Sequence, residues 1–341
     1  MLANVKDYSN KNRYSVMLFG LLISLILFFT ITKGGTLWSF GTWKGIFIQF
    51  PEYGIMTLGV MFCFIIGNID MSFVALGDFA CIIAVQYMAS RGTEDMAKGQ
   101  IIGVILIALL IALAIGAIGG IINGVLVAYL NIPPVMATIA MQLVWLGLST
   151  AITKGYAVTG VPALYTEIGH TMLFGFLPVP LLIFMIVFLF SFFLLKFTTY
   201  GKKLYMTGTN LKAAKFSAIN TKAMIISTFV ICDVIASLGC MVMVSTMNSA
   251  KADYGTSYVM RVILILVLAG VLPDGGMGKI FNVLLSIVAI QIIASGVNMF
   301  SQLNSYYASL IWGGLLIIVL ILSTKMNGNR LHLFLFKKRK M

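Results

Sequence analysis

Long apolar runs fill the chain, and short polar breaks separate them. A membrane-spanning helix needs about 20 consecutive apolar residues, within a range of about 17–25. Ten runs meet or approach that length, at 15–31, 54–67, 73–89, 101–130, 134–153, 173–195, 224–247, 258–272, 280–300 and 306–323. Two of them are short, and the fourth is too long for one straight span. The pattern therefore predicts an all-α polytopic membrane protein with about ten transmembrane helices, some of them broken.

The composition and the placement of charge sharpen this prediction. The chain is 60% hydrophobic and 10% charged, whereas soluble domains are about a quarter charged. Three segments, 1–14, 196–222 and 325–341, hold 15 of the 23 basic residues and a single acid, Asp7. Basic residues collect in cytoplasmic loops. Six predicted spans separate the first segment from the second and four separate the second from the third. Both termini are therefore predicted to be cytoplasmic, and the charge does not indicate nucleic-acid binding.

The same pattern predicts the domain organisation. A cytoplasmic N-terminal tail at 1–14 precedes a single transmembrane domain at 15–324, which contains the cytoplasmic loop 196–222, and a basic cytoplasmic tail follows at 325–341. The first apolar run resembles a signal peptide, but no small-residue cleavage motif follows it, so we expect a retained span. The outer connections are short. We therefore expect a soluble receptor or motor to be another polypeptide.

Acidic residues inside the apolar regions are candidates for function, because a charge at membrane depth costs at least ~2.5 kcal/mol. Asp70 lies in a polar break at 67–72. It caps the next helix by accepting free backbone N–H groups, lines a pathway, or does both. Asp233 lies within the seventh run and either pairs with Arg261, Lys251 or a hydroxyl group, or lines the pathway. Asp78 is predicted to be a buried, hydrogen-bonded group.

Small residues predict a close helix contact in the fourth run. Gly116, Gly120 and Gly124 recur every four residues and leave one helix face nearly free of side chains, so a neighbouring helix can approach closely. Asn123 lies beside this stripe and could form a hydrogen bond across the interface or to a polar solute. The stripe is therefore interpreted as a packing surface.

Other residue types argue against chemistry carried by this chain. The four cysteines lie in apolar runs without a C-x-x-C pair and are interpreted as packing residues; they are Cys63, Cys81, Cys232 and Cys240. The two histidines are far apart, so no metal site and no enzyme activity are predicted. The glycine-rich segment 275–279 lacks the spacing of a phosphate-binding loop. The break at 67–72 follows a short apolar run in the first half of the chain, and the segment 275–279 follows a short apolar run in the second half. These matching positions indicate either a transporter repeat or chance.

The cytoplasmic loop 196–222 contains six lysines and no acid. Asn210 is placed to cap a short helix at 211–216. Such a helix either docks into a groove of a partner or lies in a solvated loop against anionic lipid. The mixed apolar and basic segment 331–340 is interpreted as a membrane-surface anchor.

Four motifs in the expected order resemble one known family, and the resemblance covers residues from about 54 to 323. The motifs are G-N-I-D-M-S at 67–72, G-x-x-x-G-x-x-N-G at 116–124 with I-P-P-V-M-A-T at 132–138, the loop pattern at 200–220, and V-L-A-G with G-G-M-G at 267–278. The chain resembles the permease subunits of ribose-type ABC importers, which also include permeases for other simple sugars and for autoinducer-2. Ala218 replaces the usual loop glycine, Asp233 replaces a small residue, and Asn282 and Ser286 replace glycines.

The resemblance implies a mechanism and a set of partners. Two permease chains, identical or paralogous, would enclose a path in the bacterial cytoplasmic membrane and alternate between inward and outward access. A cytoplasmic ATPase would bind ATP and Mg²⁺, so no cofactor is expected on this chain, and an extracytoplasmic binding protein would deliver the solute. The expected ATPase-coupling residues are Gly201, Gly208, Asn210, Ala213, Ala214, Ser217 and Asn220.

The solute and its path are open at this point. A simple sugar such as ribose is expected, with autoinducer-2 or a nucleoside as alternatives. The candidate residues near the path are Asp70, Asn123, Thr138, Asp233 and Asn298. A second hypothesis is an ion-coupled secondary transporter, in which Asp70 or Asp233 would carry a proton or Na⁺.

Overall fold

Helices account for almost all of the regular structure in the computed structural model, which describes residues 13–92, 96–173, 175, 177–300, 310–317 and 319. The helices are α1 (Arg13–Leu37), α2 (Phe40–Ile66), α3 (Phe73–Arg91), α4 (Lys98–Ala128), α5 (Pro134–Thr153), α6 (Ala163–His170), α7 (Val179–Phe197), α8 (Thr199–Thr209), α9 (Leu211–Phe216), α10 (Thr221–Met247), α11 (Thr256–Leu268) and α12 (Ile280–Asn298). A two-residue strand β1 (Met172–Leu173) pairs antiparallel with β2 (Leu177–Pro178). Residues 310–317 are also helical.

Eight of the described helices are long and apolar enough to cross a membrane, namely α1, α2, α3, α4, α5, α7, α10 and α12. This confirms the all-α polytopic fold. Six of them precede the loop 196–222, as predicted. Helix α11, at 13 residues, is shorter than a span, and half of the predicted run at 306–323 lies outside the described residues.

Three boundaries differ from the predictions for physical reasons. Helix α2 begins at Phe40 rather than at residue 54, and Ser39 caps it by accepting a hydrogen bond from the Thr42 N–H. The polar residues before 54 suggested a connection, but Glu52 is buried against other helices. Helix α7 begins at Val179 rather than at 173, because the β1–β2 hairpin occupies the preceding residues. Helix α4 is one element of 31 residues, about 46 Å long at about 1.5 Å per residue.

Helix α10 lies at the centre of the bundle and packs against α2, α3 and α4. The glycine stripe of α4 faces it. A Cβ atom added to Gly116 would lie 2.8 Å from the Asp233 carbonyl oxygen, one added to Gly120 would lie 2.6 Å from the Val230 Cα atom, and one added to Gly124 would lie 2.6 Å from the Ile226 Cα atom. The two backbones are therefore in direct contact along this stripe.

We expect Gly120→Leu to destabilise the protein, because its side chain would have to displace the backbone of α10. Overpacking of this kind costs about 1–3 kcal/mol or more. Gly103→Leu is the matched control on the same helix, since no other side chain or element lies within 4 Å of a Cβ atom at that position. Thermal denaturation followed by size-exclusion chromatography should show a lower midpoint for Gly120→Leu alone. Equal midpoints would contradict the packing interpretation.

The outer helices expose large apolar side chains, as a lipid-facing surface requires. Examples are Leu27 on α1, Leu110 on α4, Leu143 on α5 and Phe193 on α7, each more than half exposed. Helices α2, α3 and α10 are the most buried of the eight long helices, and they carry the buried acidic residues Glu52, Asp78 and Asp233.

Candidate functional site

The polar break between α2 and α3 organises the first part of the site. Gly67 ends α2 in the left-handed conformation, with φ 86°. The Asp70 carboxylate then accepts hydrogen bonds from both the backbone N–H and the hydroxyl of Ser72, each at 2.8 Å. Phe73 begins α3 directly afterwards. Asp70 therefore fixes the turn from which α3 starts.

Four of the five predicted path residues meet at this break. The Asn123 amide on α4 donates to the Ser72 hydroxyl at 2.8 Å and to the Asp233 carboxylate on α10 at 3.2 Å. The Thr138 hydroxyl on α5 donates to the Pro134 carbonyl of its own helix at 2.9 Å and lies 3.3 Å from the Ile69 carbonyl in the break. We refer to these residues as the break cluster: Asp70, Ser72, Asn123, Thr138 and Asp233, all of them fully buried. Asn298, the fifth predicted path residue, is instead the last residue of α12 and is exposed.

Asp233 does not pair with either of the cations proposed for it. Lys251 forms an ion pair with Asp253 at 3.1 Å. The Arg261 guanidinium lies over three aromatic rings, with its central carbon 5.1 Å from the centroid of Tyr53, 5.3 Å from that of Tyr258 and 4.7 Å from that of Trp312. Asp233 faces Asn123 and Asp70 within the break cluster. Tertiary packing therefore groups two carboxyl groups that the sequence separates widely.

Two further buried carboxyl groups lie outside the break cluster. Asp78 on α3 accepts a hydrogen bond from the Gly255 N–H at 3.3 Å, which agrees with its predicted role. Glu52 on α2 accepts from the Thr246 hydroxyl at 2.5 Å and from the Tyr258 hydroxyl at 2.8 Å. Sequence reasoning missed Glu52, because it placed this residue in a surface connection.

The loop 196–222 folds into the two short helices α8 and α9, and asparagines fix two helix starts. The Asn210 side chain accepts a hydrogen bond from the Ala213 N–H at 3.0 Å at the start of α9. The Asn220 side chain accepts from the Ala223 N–H at 3.1 Å at the start of α10. The predicted cap at Asn210 is therefore present, and α9 spans the predicted residues 211–216.

Helix α8 joins the break through contacts between glycine backbones. A Cβ atom added to Gly208 would collide with the Ile65 carbonyl oxygen and lie 2.7 Å from the Gly276 nitrogen. A Cβ atom added to Gly275 would lie 2.8 Å from the Gly208 carbonyl oxygen and 2.9 Å from the Gly67 Cα atom. We call this contact of Gly67, Gly208, Gly275 and Gly276 the glycine joint. The glycine joint leaves no room for a side chain between the loop 196–222 and the two polar breaks, which are the segments 67–72 and 275–279.

Two hydrogen bonds support the glycine joint. The Gly276 N–H donates to the Ile65 carbonyl at 2.7 Å. The Tyr205 hydroxyl on α8 donates to the Gly278 carbonyl at 2.8 Å. Burial raises the pKa of Tyr205 to about 12, so this hydroxyl keeps the proton that it donates at neutral pH. The glycine-rich segment 275–278 thus serves as a backbone contact surface.

The seven predicted coupling residues divide into groups with different surroundings. Gly201 and Ala214 are buried and Gly208 is half-buried, whereas Asn210, Ala213, Ser217 and Asn220 are exposed. Phe216 on α9 is 92% exposed, which is unusual for an aromatic side chain beside lysines. We call the exposed surface of Lys212, Ala213, Lys215, Phe216 and Ser217 the α9 face. Sequence reasoning named Phe216 only as a helix residue, although an exposed aromatic side chain is typical of an interface anchor.

The loop also explains why glycine is usual at position 218 in the family that the sequence resembles. Ala218 follows α9 with φ 57°, in the left-handed region. Its N–H donates to the Lys215 carbonyl at 3.1 Å, and the Ile219 N–H donates to the Ala214 carbonyl at 3.1 Å. This is the hydrogen-bonded end of a helix at which glycine avoids steric strain.

We expect Ala218→Gly to stabilise the end of α9 by up to about 1 kcal/mol, because it removes the clash of Cβ with the following carbonyl in the left-handed conformation. Amide hydrogen exchange should slow at Ser217 and Ile219. Ala213→Gly is the control, since it places glycine within the helix and should speed exchange. Faster exchange in Ala218→Gly would contradict this reading of the loop.

Comparisons with known proteins identify the family to which the chain is similar. The chain matches the family described as branched-chain amino acid transport system / permease component over residues 43–320. It is 28% identical over 274 residues to the ribose import permease protein RbsC of Bacillus subtilis (strain 168), covering 80% of this chain and 81% of that protein. It is 29% identical over 204 residues to the autoinducer 2 import system permease protein LsrD of Yersinia pestis (strain Pestoides F), covering 58% of this chain and 60% of that protein.

No solved structure matches the chain. The family match includes seven of the eight long apolar helices, the break cluster, the glycine joint and the α9 face. The chain therefore belongs to the family of permease components of branched-chain amino acid transport systems.

Proposed function

We propose that this chain is the transmembrane permease subunit of an ABC importer that moves a simple sugar such as ribose inward. The observation that carries the proposal is the glycine joint, which connects the exposed α9 face to the polar break inside the bundle. The similarity to a ribose import permease over 80% of the chain supports the choice of solute.

The geometry supports a coupling mechanism in which force enters at the α9 face. A cytoplasmic ATPase binds Phe216 and its neighbours, and its own ATP and Mg²⁺ supply the energy. Movement of α9 displaces α8, and the close contact of Gly208 with Ile65 and Gly276 transmits the displacement to both breaks. Because the break cluster lies directly beside Gly67, α3, α4 and α10 change position together.

This mechanism specifies an assembly and a topology. Two permease chains, identical or paralogous, enclose the path, and a solute-binding protein delivers the sugar at the outer side. The loop 196–222 and both termini lie in the cytoplasm of a bacterium, as the basic segments indicate. Alternating access follows when the α9 faces of the two chains approach each other and separate.

Autoinducer-2 is a second candidate solute, because a similar relative is an autoinducer 2 import permease. Competition separates the two candidates. If ribose is the solute, excess unlabelled ribose should block uptake of labelled ribose, and autoinducer-2 should not. The reverse pattern would assign autoinducer-2.

The proposal is tested by the energy source of transport. In right-side-out vesicles that contain the permease and ATPase, with binding protein outside, we expect ribose uptake to need internal ATP. An ATPase variant that cannot hydrolyse ATP should abolish uptake, and a protonophore should leave it unchanged. Uptake driven by a proton or Na⁺ gradient without the ATPase would contradict the importer and support the ion-coupled transporter.

A further inference from the structure

The interior next to the break contains a second set of groups that sugar transport does not explain. Cys63 on α2, Cys232 on α10 and Asp70 in the break each place one potential ligand atom within 4.8 Å of the others. All three residues are buried. We propose that these residues, together with Asp233, bind one divalent transition-metal ion, with Zn²⁺ as the best-matched ion.

Unpartnered buried oxygen atoms at this place are suited to bind a cation. Asp70 Oδ2, Asp233 Oδ1 and Asn123 Oδ1 are all buried and accept no hydrogen bond from the described residues. The carboxyl groups of Asp70 and Asp233 face each other across Ser72 and Asn123, because the Ser72 hydroxyl donates to Asp70 at 2.8 Å and the Asn123 amide donates to both Ser72 at 2.8 Å and Asp233 at 3.2 Å. Two facing carboxylates repel each other in a buried environment unless a proton or a cation lies between them. A metal ion would bind the free oxygens and remove the repulsion.

The donor set distinguishes between classes of metal. Two thiolates with carboxylate oxygens suit Zn²⁺, which takes tetrahedral sulfur, nitrogen and oxygen ligands, whereas Mg²⁺ and Ca²⁺ prefer oxygen alone. With Zn–S bonds of about 2.3 Å, the two sulfurs of a tetrahedral site lie about 3.8 Å apart. The ligand atoms of Cys63, Cys232 and Asp70 are at most 4.8 Å apart, so the two sulfurs would have to approach each other by about 1 Å at most.

The same chain contains a matched control pair of thiols. Cys81 on α3 and Cys240 on α10 are also buried and close to each other, but they form no such ligand group with any other residue that the structure describes. The prediction that all four cysteines are packing residues therefore applies to Cys81 and Cys240. Cys63 and Cys232 differ because they face the break cluster.

Such an ion would tie three elements together beside the glycine joint. Cys63 lies three residues before the end of α2, and Asp70 lies three residues before the start of α3. Cys232 and Asp233 hold the ion to the central helix α10. The ion would thus set the position of the break relative to the bundle core, and it would do so whichever solute the importer carries.

The test uses the full chain, purified in detergent without chelator, and measures its zinc content by mass spectrometry. We expect about one Zn²⁺ per chain and loss of at least about nine-tenths of it in Cys63→Ser and in Cys232→Ser. Cys81→Ser and Cys240→Ser should retain the wild-type content. Replacement of Zn²⁺ by Co²⁺ should produce a thiolate-to-cobalt absorption band in the wild type that Cys63→Ser lacks.

Two results from the wild type and the serine variants would overturn the proposal. One is a wild-type chain without zinc after dialysis against buffered Zn²⁺; the other is zinc that persists when Cys63 and Cys232 are both serine. A protonated-carboxyl infrared band that Zn²⁺ does not remove would then assign a shared proton to Asp70 and Asp233. If a serine variant is not recovered folded, Asp233→Asn, which keeps the side-chain size, should show the same loss of zinc. Retained zinc in folded Asp233→Asn would exclude Asp233 as a ligand and contradict the proposed site.

Discussion

Gly208→Val should reduce solute uptake at least about tenfold, which corresponds to about 1.4 kcal/mol, while the ATPase stays bound. The new side chain would collide with the Ile65 carbonyl and with the Gly276 backbone. It would separate α8 from both breaks and open the glycine joint. The α9 face is not altered, so ATPase binding should survive. Uptake of radiolabelled ribose and co-purification of the ATPase measure the two effects separately.

Gly147→Val on α5 is the matched control for this prediction. A Cβ atom at Gly147 has no neighbour from another element within 4 Å, so the substitution adds the same side chain without opening a contact. We expect normal uptake in this variant. Normal uptake in Gly208→Val would show that the glycine joint does not transmit force. Size-exclusion chromatography would show whether Gly208→Val loses uptake because it does not fold. In that case Gly208→Ala, which adds a smaller side chain, would be used in the uptake measurement.

The second large effect is expected from Phe216→Asp, which should weaken ATPase binding by about 2 kcal/mol or more, about 30-fold in Kd. Phe216 is almost fully exposed, so a polar residue there should leave the fold unchanged. In the complex with the ATPase, the substitution removes an aromatic side chain that the interface buries, and it places a carboxylate there without water. Binding of the purified ATPase to the permease in nanodiscs measures the change.

Phe216→Leu is the control, because it keeps an apolar anchor and should retain most of the affinity. Ala214→Glu would not test the same question, since Ala214 is only 2% exposed and the charge would disturb the packing of α9. Wild-type affinity of Phe216→Asp would contradict the assignment of the α9 face.

Local features of the sequence predicted local features of the structure well. Apolar runs located the long helices, because a helix at membrane depth satisfies its own backbone groups and needs an apolar surface. Asn210 was recognisable as a cap, because capping depends on residues three apart. The predicted start of α2 was wrong because the polar residues before 54 look like a surface connection. In the structure, the Thr246 and Tyr258 hydroxyls donate hydrogen bonds to the Glu52 carboxylate, which can therefore be buried.

Long-range contacts could not be read from spacing in one sequence. Gly67, Gly208 and Gly275 belong to three motifs far apart in the chain, and only the packing of α8 against the breaks brings them together. The same holds for Cys63 and Cys232, which lie on α2 and α10. In the sequence, each cysteine looks like a packing residue. Its proposed role as a metal ligand depends on the neighbours that the fold places beside it.

A pull-down of the tagged chain from its native membrane in mild detergent, read by mass spectrometry, tests most directly whether this chain is one subunit of an ATP-driven importer. We expect a P-loop ATPase to co-purify at about equal stoichiometry with the wild type and with Gly208→Val, and to be lost from Phe216→Asp. A chain that is recovered alone, or only with copies of itself, in several detergents would contradict the importer and leave a gradient-driven carrier.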